Sequence, residues 1–197
     1  FLDGRAPDLE AQAAEPPLNP REMAMPGKAA VVDRIRANPD YIGRFEAAFG
    51  TEVFESDDAA YAAFARAIAA FERGPQFATF DSKYDRYLKG EYTLTDQEEL
   101  GRLLFFSRQF TNCSLCHRLQ PAPGYAEETF SNYEFHNIGV PANPLLPGPA
   151  GTGLVDRGLM QNPAANDARH DGQFRTPGLR NVAVTAPYMH NGVFAEL

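Results

Sequence analysis

The sequence predicts a mainly α-helical protein in which long irregular loops dominate the later part of the chain. Three observations lead to this prediction. Apolar residues recur at helical spacing between residues 28 and 73. The two cysteines stand together in one motif, Cys113-Ser114-Leu115-Cys116-His117, directly after a further helical pattern. Half of the 16 prolines and half of the 16 glycines lie between residues 118 and 178, where they favour turns over regular elements.

Composition limits the classes of partner. The chain has 197 residues, enough for one large or two small domains, and its hydrophobic content of 44% is ample for a packed core. Its net charge of −8 argues against a nucleic-acid partner and against binding to an anionic membrane surface. No run of 18 apolar residues occurs, so the sequence predicts no membrane-spanning helix.

The first 26 residues predict one short helix and a loop. Pro7 suits the first helical turn, and Pro16-Pro17 ends the helix. On residue chemistry alone, the polar side chains of Arg5, Gln12 and Glu22 are expected to lie in solvent.

Clearer helical patterns cover residues 28–50 and 56–73. Asn38-Pro39 divides the first stretch into two helices, and Gly50 ends the second of them. The pattern over residues 56–73 predicts one longer helix with a buried stripe. The side chains assigned to that stripe are Tyr61, Phe64, Ile68 and Phe71.

A polar and aromatic connector is predicted over residues 76–94, and we place a domain boundary within it, between residues 80 and 81. Thr95 and Glu98 then have the spacing of a capping box, in which each side chain satisfies a backbone amide at the start of a helix. The helix that follows is expected to bury Leu100, Leu103, Leu104 and Phe105.

The C-x-x-C-H spacing of Cys113, Cys116 and His117 is typical of a c-type haem attachment site. Two thiols at this spacing can form thioethers to the two vinyl groups of one porphyrin, and the adjacent histidine can become the proximal iron ligand. Two alternatives stay open. A redox dithiol would be expected within a βαβ pattern, and a zinc site would need a second pair of ligands.

The remaining histidines and the methionines allow several roles. His136, His170 and His190 could each be an axial ligand, a proton carrier or a hydrogen-bonded structural residue. Met160 and Met189 could each supply a thioether ligand to iron, so the sixth ligand is left unassigned.

Four segments of the chain resemble the bacterial di-haem cytochrome c peroxidase and MauG family, in the family's order and spacing. They read DGRAPDLEAQAAEPPLNPREM, TNCSLCH, FHNIGVP and TPGLRNVAVTAPYMHNG. The resemblance implies cytochrome c-like haem domains duplicated about a pseudo-twofold axis. Residues 1–80 would be the C-terminal part of the first, peroxidatic domain, and residues 81–197 would form the second, electron-transfer domain. A second C-x-x-C-H is then expected upstream of Phe1.

The resemblance also implies roles for individual residues. Gln12, Pro16 and Glu22 match residues over the distal face of the first haem, where the glutamate is the acid and base for peroxide cleavage and the glutamine orients the oxidant. Thr185 and Pro187 match residues whose carbonyl oxygens hold a calcium ion, a cation that prefers oxygen ligands.

One position departs from the family pattern. Leu2 stands where the family usually has a tryptophan between the two haems, and the chain contains no tryptophan. Electron relay through an aromatic side chain at that position is therefore in question.

Three functions follow as expectations. The first is reduction of hydrogen peroxide with electrons from a small periplasmic cytochrome c or cupredoxin. The second is a MauG-like oxidation of residues on a partner protein, and the third is electron transfer by a mono-haem cytochrome without catalysis. A periplasmic location is expected because haem c is attached outside the bacterial cytoplasm. No signal peptide begins at Phe1, which suggests a mature or truncated chain. A homodimer is compatible with the resemblance.

Overall fold

The structure, a computed structural model, describes residues 1–119, 129–146 and 155–197. The chain divides into two compact units, one formed by residues 6–79 and the other by residues 1–5 with 80–197. The α-helices are α1 (Leu9–Ala14), α2 (Lys28–Arg36), α3 (Pro39–Phe49), α4 (Asp57–Glu72), α5 (Lys83–Leu88) and α6 (Asp96–Phe106). The mainly helical fold expected from the sequence is confirmed. The assignment of the two sequence segments to a first and a second haem domain stays a prediction.

In the unit of residues 6–79, α1 and α2 both pack against α4. Val31 and Val32 of α2 meet Ala60 and Tyr61 of α4 in the buried centre. The Tyr61 hydroxyl donates a hydrogen bond of 2.5 Å to the Ala14 carbonyl at the end of α1. The helix limits follow the sequence signals closely, since Asn38 caps α3, Pro39 opens it, and Ser56 caps α4.

The aromatic stripe predicted on α4 is only partly correct. Tyr61 is buried, whereas Phe71 is 62% exposed and stands edge-on to Phe77 with ring centroids 5.0 Å apart. The buried face of α4 consists largely of alanines, namely Ala60, Ala63, Ala65 and Ala69. Small side chains permit α1 and α2 to approach α4 closely, and this approach determines which face is covered.

In the unit that contains residues 80–197, the connector predicted over residues 76–94 includes a helix, α5, which begins with a capping box formed by Ser82 and Asp85. The capping box of Thr95 and Glu98 at the start of α6 is present as predicted. Lys83 on α5 donates to the Glu98 carboxylate at 2.9 Å, which joins α5 to the cap of α6.

The expected burial of α6 is wrong within the described ranges. Leu100 and Leu103 are 57% and 54% exposed, and Leu104 is 39% exposed, while Phe105 is half-buried. The helical period puts these leucines on one stripe, but a stripe is buried only where another element covers it. Among the described residues, no other element packs over these leucines.

The later part of the chain is loop with short turns of 3₁₀-helix, as the proline and glycine content predicts. Two short strands, β1 (Phe135–His136) and β2 (Phe174–Arg175), pair antiparallel with Phe135 opposite Arg175 and His136 opposite Phe174. In the described ranges the longest helix, α4, has 16 residues, and no helix there combines the length and apolar character that a bilayer span requires.

Candidate functional site

The cysteine and histidine motif lies on a tight turn just after α6. Asn112 adopts a left-handed conformation with φ of 53°, and a single 3₁₀ turn, Cys113–Leu115, follows it. The His117 amide donates to the Cys113 carbonyl at 3.0 Å, which closes the turn. Both cysteine thiols are free and both residues are half-buried. The turn therefore holds two thiols and an imidazole in one short stretch of ordered backbone.

The His117 ring is oriented by a backbone partner. Its Nδ1 atom lies 2.9 Å from the carbonyl oxygen of Phe130. A carbonyl oxygen can only accept, so Nδ1 must carry the hydrogen of a neutral imidazole. The lone pair then resides on Nε2, which is the atom left to bind a metal. A hydrogen bond of this kind fixes both the tautomer and the ring direction of a ligating histidine.

The segment after Phe130 is hydrogen-bonded to the cysteine motif and to Thr176, the residue that follows β2. The Asn132 amide donates to the Cys116 carbonyl at 2.8 Å. Ser131 is buried, and its hydroxyl donates to the Thr176 carbonyl at 2.6 Å while accepting from the Tyr133 amide at 2.9 Å. These hydrogen bonds fix the backbone that follows Phe130, and thereby the position of the Phe130 carbonyl that contacts His117.

An ion pair stands beside Phe130. Arg180 donates two hydrogen bonds to the Asp85 carboxylate, at 2.8 and 2.9 Å. The side chains are 25% and 12% exposed, respectively, so water screens the pair less than a surface pair. The bidentate contact with Arg180 holds the pKa of Asp85 well below its usual range, against the opposing effect of burial.

The donor set fits a covalently attached haem. Two free thiols at the attachment spacing precede a histidine whose Nε2 is available, and an open cleft of about 630 Å³ lies against Ser114 and Leu115 of the same turn. Outside the lining of this cleft, the Nε atom of Arg175 is buried and, among the described residues, has no hydrogen-bond partner, so it is a donor that a carboxylate would satisfy. The zinc alternative finds no support in the described ranges, where no cluster of three metal-binding side chains occurs.

The three residues expected over the distal face of the first haem, Gln12, Pro16 and Glu22, all belong to the unit of residues 6–79. Gln12 is half-buried on α1, and the chain then turns so that the Met23 amide donates to the Pro16 carbonyl at 3.2 Å. Glu22 is exposed, and Asn19 Nδ2 donates to its Oε1 atom at 2.7 Å. Two turn hydrogen bonds therefore hold the Glu22 carboxylate and the Pro16 carbonyl in the same short loop.

The residues expected to bind calcium are exposed. Thr185 Oγ1 donates to the Val182 carbonyl at 3.2 Å, and the Pro187 ring packs close to Gly192. Their role in binding an ion stays a prediction.

The other histidines have local partners. The His190 ring stacks on Phe174 with centroids 3.5 Å apart, and burial lowers its pKa. The His170 Nδ1 atom lies 3.0 Å from Gln173 Oε1, and His136 Nε2 lies 3.3 Å from Asn132 Nδ2. Met160 contacts Arg157, and Met189 is 47% exposed.

Sequence reasoning missed Phe130, Ser131, Asp85 and Arg180 as parts of this site. A signal existed for Asp85, because Ser82 and Asp85 have the spacing of a capping box and thus indicate a helix in the connector. No residue-type signal could have pointed to Phe130, because its contribution is a backbone carbonyl.

The family model described as di-haem cytochrome c peroxidase matches residues 1–93. The methylamine utilization protein MauG of Paracoccus denitrificans is 50% identical over 100% of this chain, and the cytochrome c551 peroxidase of Nitrosomonas europaea is 34% identical over 100% of it. In both cases the match covers 51% of the relative.

The crystal structure of the diheme peroxidase BthA from Burkholderia thailandensis superposes with a TM-score of 0.89 at 32% identity. The superposition covers 100% of this chain and 49% of that protein. The chain thus spans about half the length of each of these three proteins.

Proposed function

The chain belongs to the family of di-haem cytochrome c peroxidases and MauG proteins, and from this premise we propose that the intact protein reduces hydrogen peroxide. The electrons would come one at a time from a small cytochrome c or cupredoxin. The observation that carries the proposal is the contact of His117 Nδ1 with the Phe130 carbonyl, beside two thiols at the haem attachment spacing.

Three residues would hold the haem. Cys113 and Cys116 would bond to the porphyrin through their sulfur atoms, and His117 would bind the iron through Nε2. The haem would supply a centre that accepts and passes on single electrons. The Phe130 carbonyl, by accepting the Nδ1 hydrogen, makes the imidazole a stronger donor at Nε2.

Proton delivery is assigned to the loop after α1. Reduction of one peroxide consumes two electrons and two protons and yields two water molecules. Glu22 is the residue of this set whose side chain can act as both a general acid and a general base. Gln12 cannot exchange protons under these conditions, so it would orient the oxidant, and Pro16 would shape the same loop. This assignment follows the family resemblance.

Electron supply is the step on which this sequence differs from its family. Leu2 replaces the expected tryptophan, and its carbonyl accepts a hydrogen bond of 2.8 Å from the Arg175 amide. An aliphatic side chain cannot be oxidised and reduced in turn as an indole can, so we propose transfer between haems without an aromatic relay at this position. A net charge of −8 suits a basic donor protein.

A MauG-like activity is the second candidate, in which residues of a partner protein are oxidised. The observation that favours it is the 50% identity to a MauG protein, compared with 34% to a cytochrome c551 peroxidase. We also propose a periplasmic location, because haem c is attached outside the bacterial cytoplasm. A calcium ion and a homodimer are further proposals for the intact protein.

The test uses the full-length gene product. A pyridine haemochrome assay should give two haems per chain, and one haem would favour a mono-haem electron carrier. Stopped-flow mixing with reduced cytochrome c or reduced cupredoxin and peroxide should oxidise two equivalents of donor per peroxide. Peroxide consumption without oxidation of either donor would favour the MauG-like candidate.

A further inference from the structure

Phe130, whose carbonyl is the partner of His117, is held by contacts of its side chain as well as by the backbone hydrogen bonds of its neighbours. The Phe130 ring lies 5.9 Å from the Tyr84 ring of α5 and 6.3 Å from the Phe105 ring of α6. The Arg180 guanidinium lies 5.6 Å from the same ring centroid. Phe130 is therefore held by two helices and by one cation, at distances typical of aromatic and cation–π contacts.

The backbone of Phe130 needs such support. Its φ is +59°, in the left-handed region, where the side chain of a bulky residue crowds its own backbone. Strained conformations persist where the surrounding structure determines them. The direction of the Phe130 carbonyl depends on this conformation, so the contacts of the ring also control the partner of His117.

The cation over Phe130 is itself fixed. Arg180 forms the bidentate pair with Asp85, and it also packs over the Phe80 ring at 4.3 Å. Asp85 accepts further hydrogen bonds from the Ser82 amide at 2.8 Å and from the Ser82 hydroxyl at 2.6 Å. The Asp85 carboxylate accepts hydrogen bonds from several donors, and the Arg180 guanidinium packs over two aromatic rings. Neither side chain therefore has much conformational freedom.

We infer that the Asp85–Arg180 ion pair is a positioning device for His117. It holds Phe130 in the left-handed conformation in which the Phe130 carbonyl receives the Nδ1 hydrogen of His117. The inference rests on the proposed iron ligation by His117, and it is independent of what the protein oxidises or reduces.

A weaker Nδ1 hydrogen bond makes Nε2 a poorer donor, and a poorer donor stabilises the oxidised iron less. Loss of the ion pair should therefore raise the reduction potential of this haem, since hydrogen bonding around an axial ligand is one of the protein's means of setting that potential. A change in the reduction potential would show that the ion pair positions His117. If the ion pair only contributed to folding, its loss would leave the potential unchanged.

The experiment uses the full-length holoprotein and the variants Asp85→Asn, Arg180→Met and Arg180→Lys. The matched control is Arg169→Met, which removes an exposed arginine paired with Asp167 at 3.0 Å in the same compact unit. Spectroelectrochemical titration gives the potential of the His117-ligated haem, and electron paramagnetic resonance of the oxidised protein reports the orientation and donor strength of its histidine.

In Asp85→Asn and Arg180→Met we expect the equilibrium constant for reduction of this haem to rise about threefold or more, with altered g-values. Arg180→Lys, which keeps the charge but not the bidentate contact, should give a smaller shift. The control should match the wild type. Variants that retain haem and show wild-type potential and g-values would overturn the inference, whether or not their stability falls.

If Arg180→Met fails to fold, the comparison of Arg180→Lys with wild type decides the question by the same two readouts. Wild-type protein without haem on His117 would overturn both the haem site and this inference. Shifted potentials in a protein that does not turn over peroxide would support the inference and reject only the proposed peroxidase activity.

Discussion

The Ser131 hydroxyl donates to the carbonyl of Thr176 at 2.6 Å, and both residues are buried. This contact joins the loop after the cysteine motif to the residue that follows β2, across 45 positions of sequence. Ser131 also accepts from the Tyr133 amide, so one hydroxyl satisfies a buried carbonyl and a half-buried amide. Although this region has little regular structure, the hydrogen bond between Ser131 and Thr176 fixes the backbone next to Phe130.

Replacing Ser131 with alanine should destabilise this region. The change leaves the Thr176 carbonyl and the Tyr133 amide without their hydroxyl partner, which costs about 1–3 kcal/mol for a buried group. Urea unfolding followed by haem absorbance measures the loss. Thr93→Ala, at an exposed hydroxyl, is the control and should be close to neutral. Equal stability of both variants and the wild type would show that the hydroxyl is dispensable.

Removal of the attachment residues should release haem. We expect Cys113→Ala or Cys116→Ala to weaken covalent retention and His117→Ala to remove the proximal ligand, with lower folded yield because the attached haem would contribute to the core. Mass spectrometry under native and under denaturing conditions gives the total and the covalent haem content of each variant, with Ser114→Ala, within the same turn, as control. A double cysteine variant with wild-type haem mass after denaturation would contradict the attachment.

Glu22→Gln should lower peroxide turnover by about 10²–10⁴-fold, the usual contribution of a positioned proton donor and acceptor. The side-chain oxygen of glutamine can still accept the hydrogen bond from Asn19, so the loop should keep its form. Steady-state kinetics measures the effect, and the spectrum of the His117-ligated haem should not change. Glu55→Gln, another exposed glutamate of the same compact unit, serves as control. Wild-type turnover in Glu22→Gln would instead make Glu22 an ordinary surface residue.

A calcium ion bound by the Thr185 and Pro187 carbonyls should stabilise the folded protein. Binding to the folded form alone adds about 2.7 kcal/mol when the free ion is at a hundred times its dissociation constant. Treatment of the full-length protein with a calcium chelator should lower its melting temperature and activity, and added calcium should restore both. Magnesium should restore little, because it resists losing its water ligands. Unchanged melting and activity after chelation would count against the site.

The Asp85–Arg180 pair should contribute stability that depends on pH. The pKa of Asp85 is depressed in the folded state from its ordinary value of 3.8, so the folded protein binds a proton there less readily than the unfolded chain does. Its contribution is therefore fully present above the ordinary pKa and is lost as the pH falls below that value towards the folded pKa.

Asp85→Asn should cost about 1.5–3 kcal/mol of unfolding free energy near neutral pH, the range for a hydrogen bond to a charged group. The gap between wild type and variant should stay constant down to about pH 5 and shrink by about pH 3. Urea unfolding at these pH values measures both curves. A gap of the same size at the lowest pH would mean that ionisation of Asp85 is not its source.

Local signals in the sequence were enough for much of the fold. The limits of α2, α3 and α4 follow from proline, caps and apolar spacing, and the cap of α6 follows from Thr95 and Glu98. Each of these features depends on groups within about four residues of one another, which is the range of helical hydrogen bonds. The same holds for Cys113, Cys116 and His117, whose chemistry is a matter of spacing along the chain.

Only the tertiary structure decided which faces are covered and which groups meet. Phe71 and Leu100 stand in correct helical stripes yet are exposed, because burial depends on the neighbour and not on the period. Arg180 meets Asp85 across 95 positions, a contact that no local pattern encodes. The partner of His117 is a carbonyl that every residue possesses, so its selection rests on the path of the backbone at Phe130 and on the side chains that hold that path.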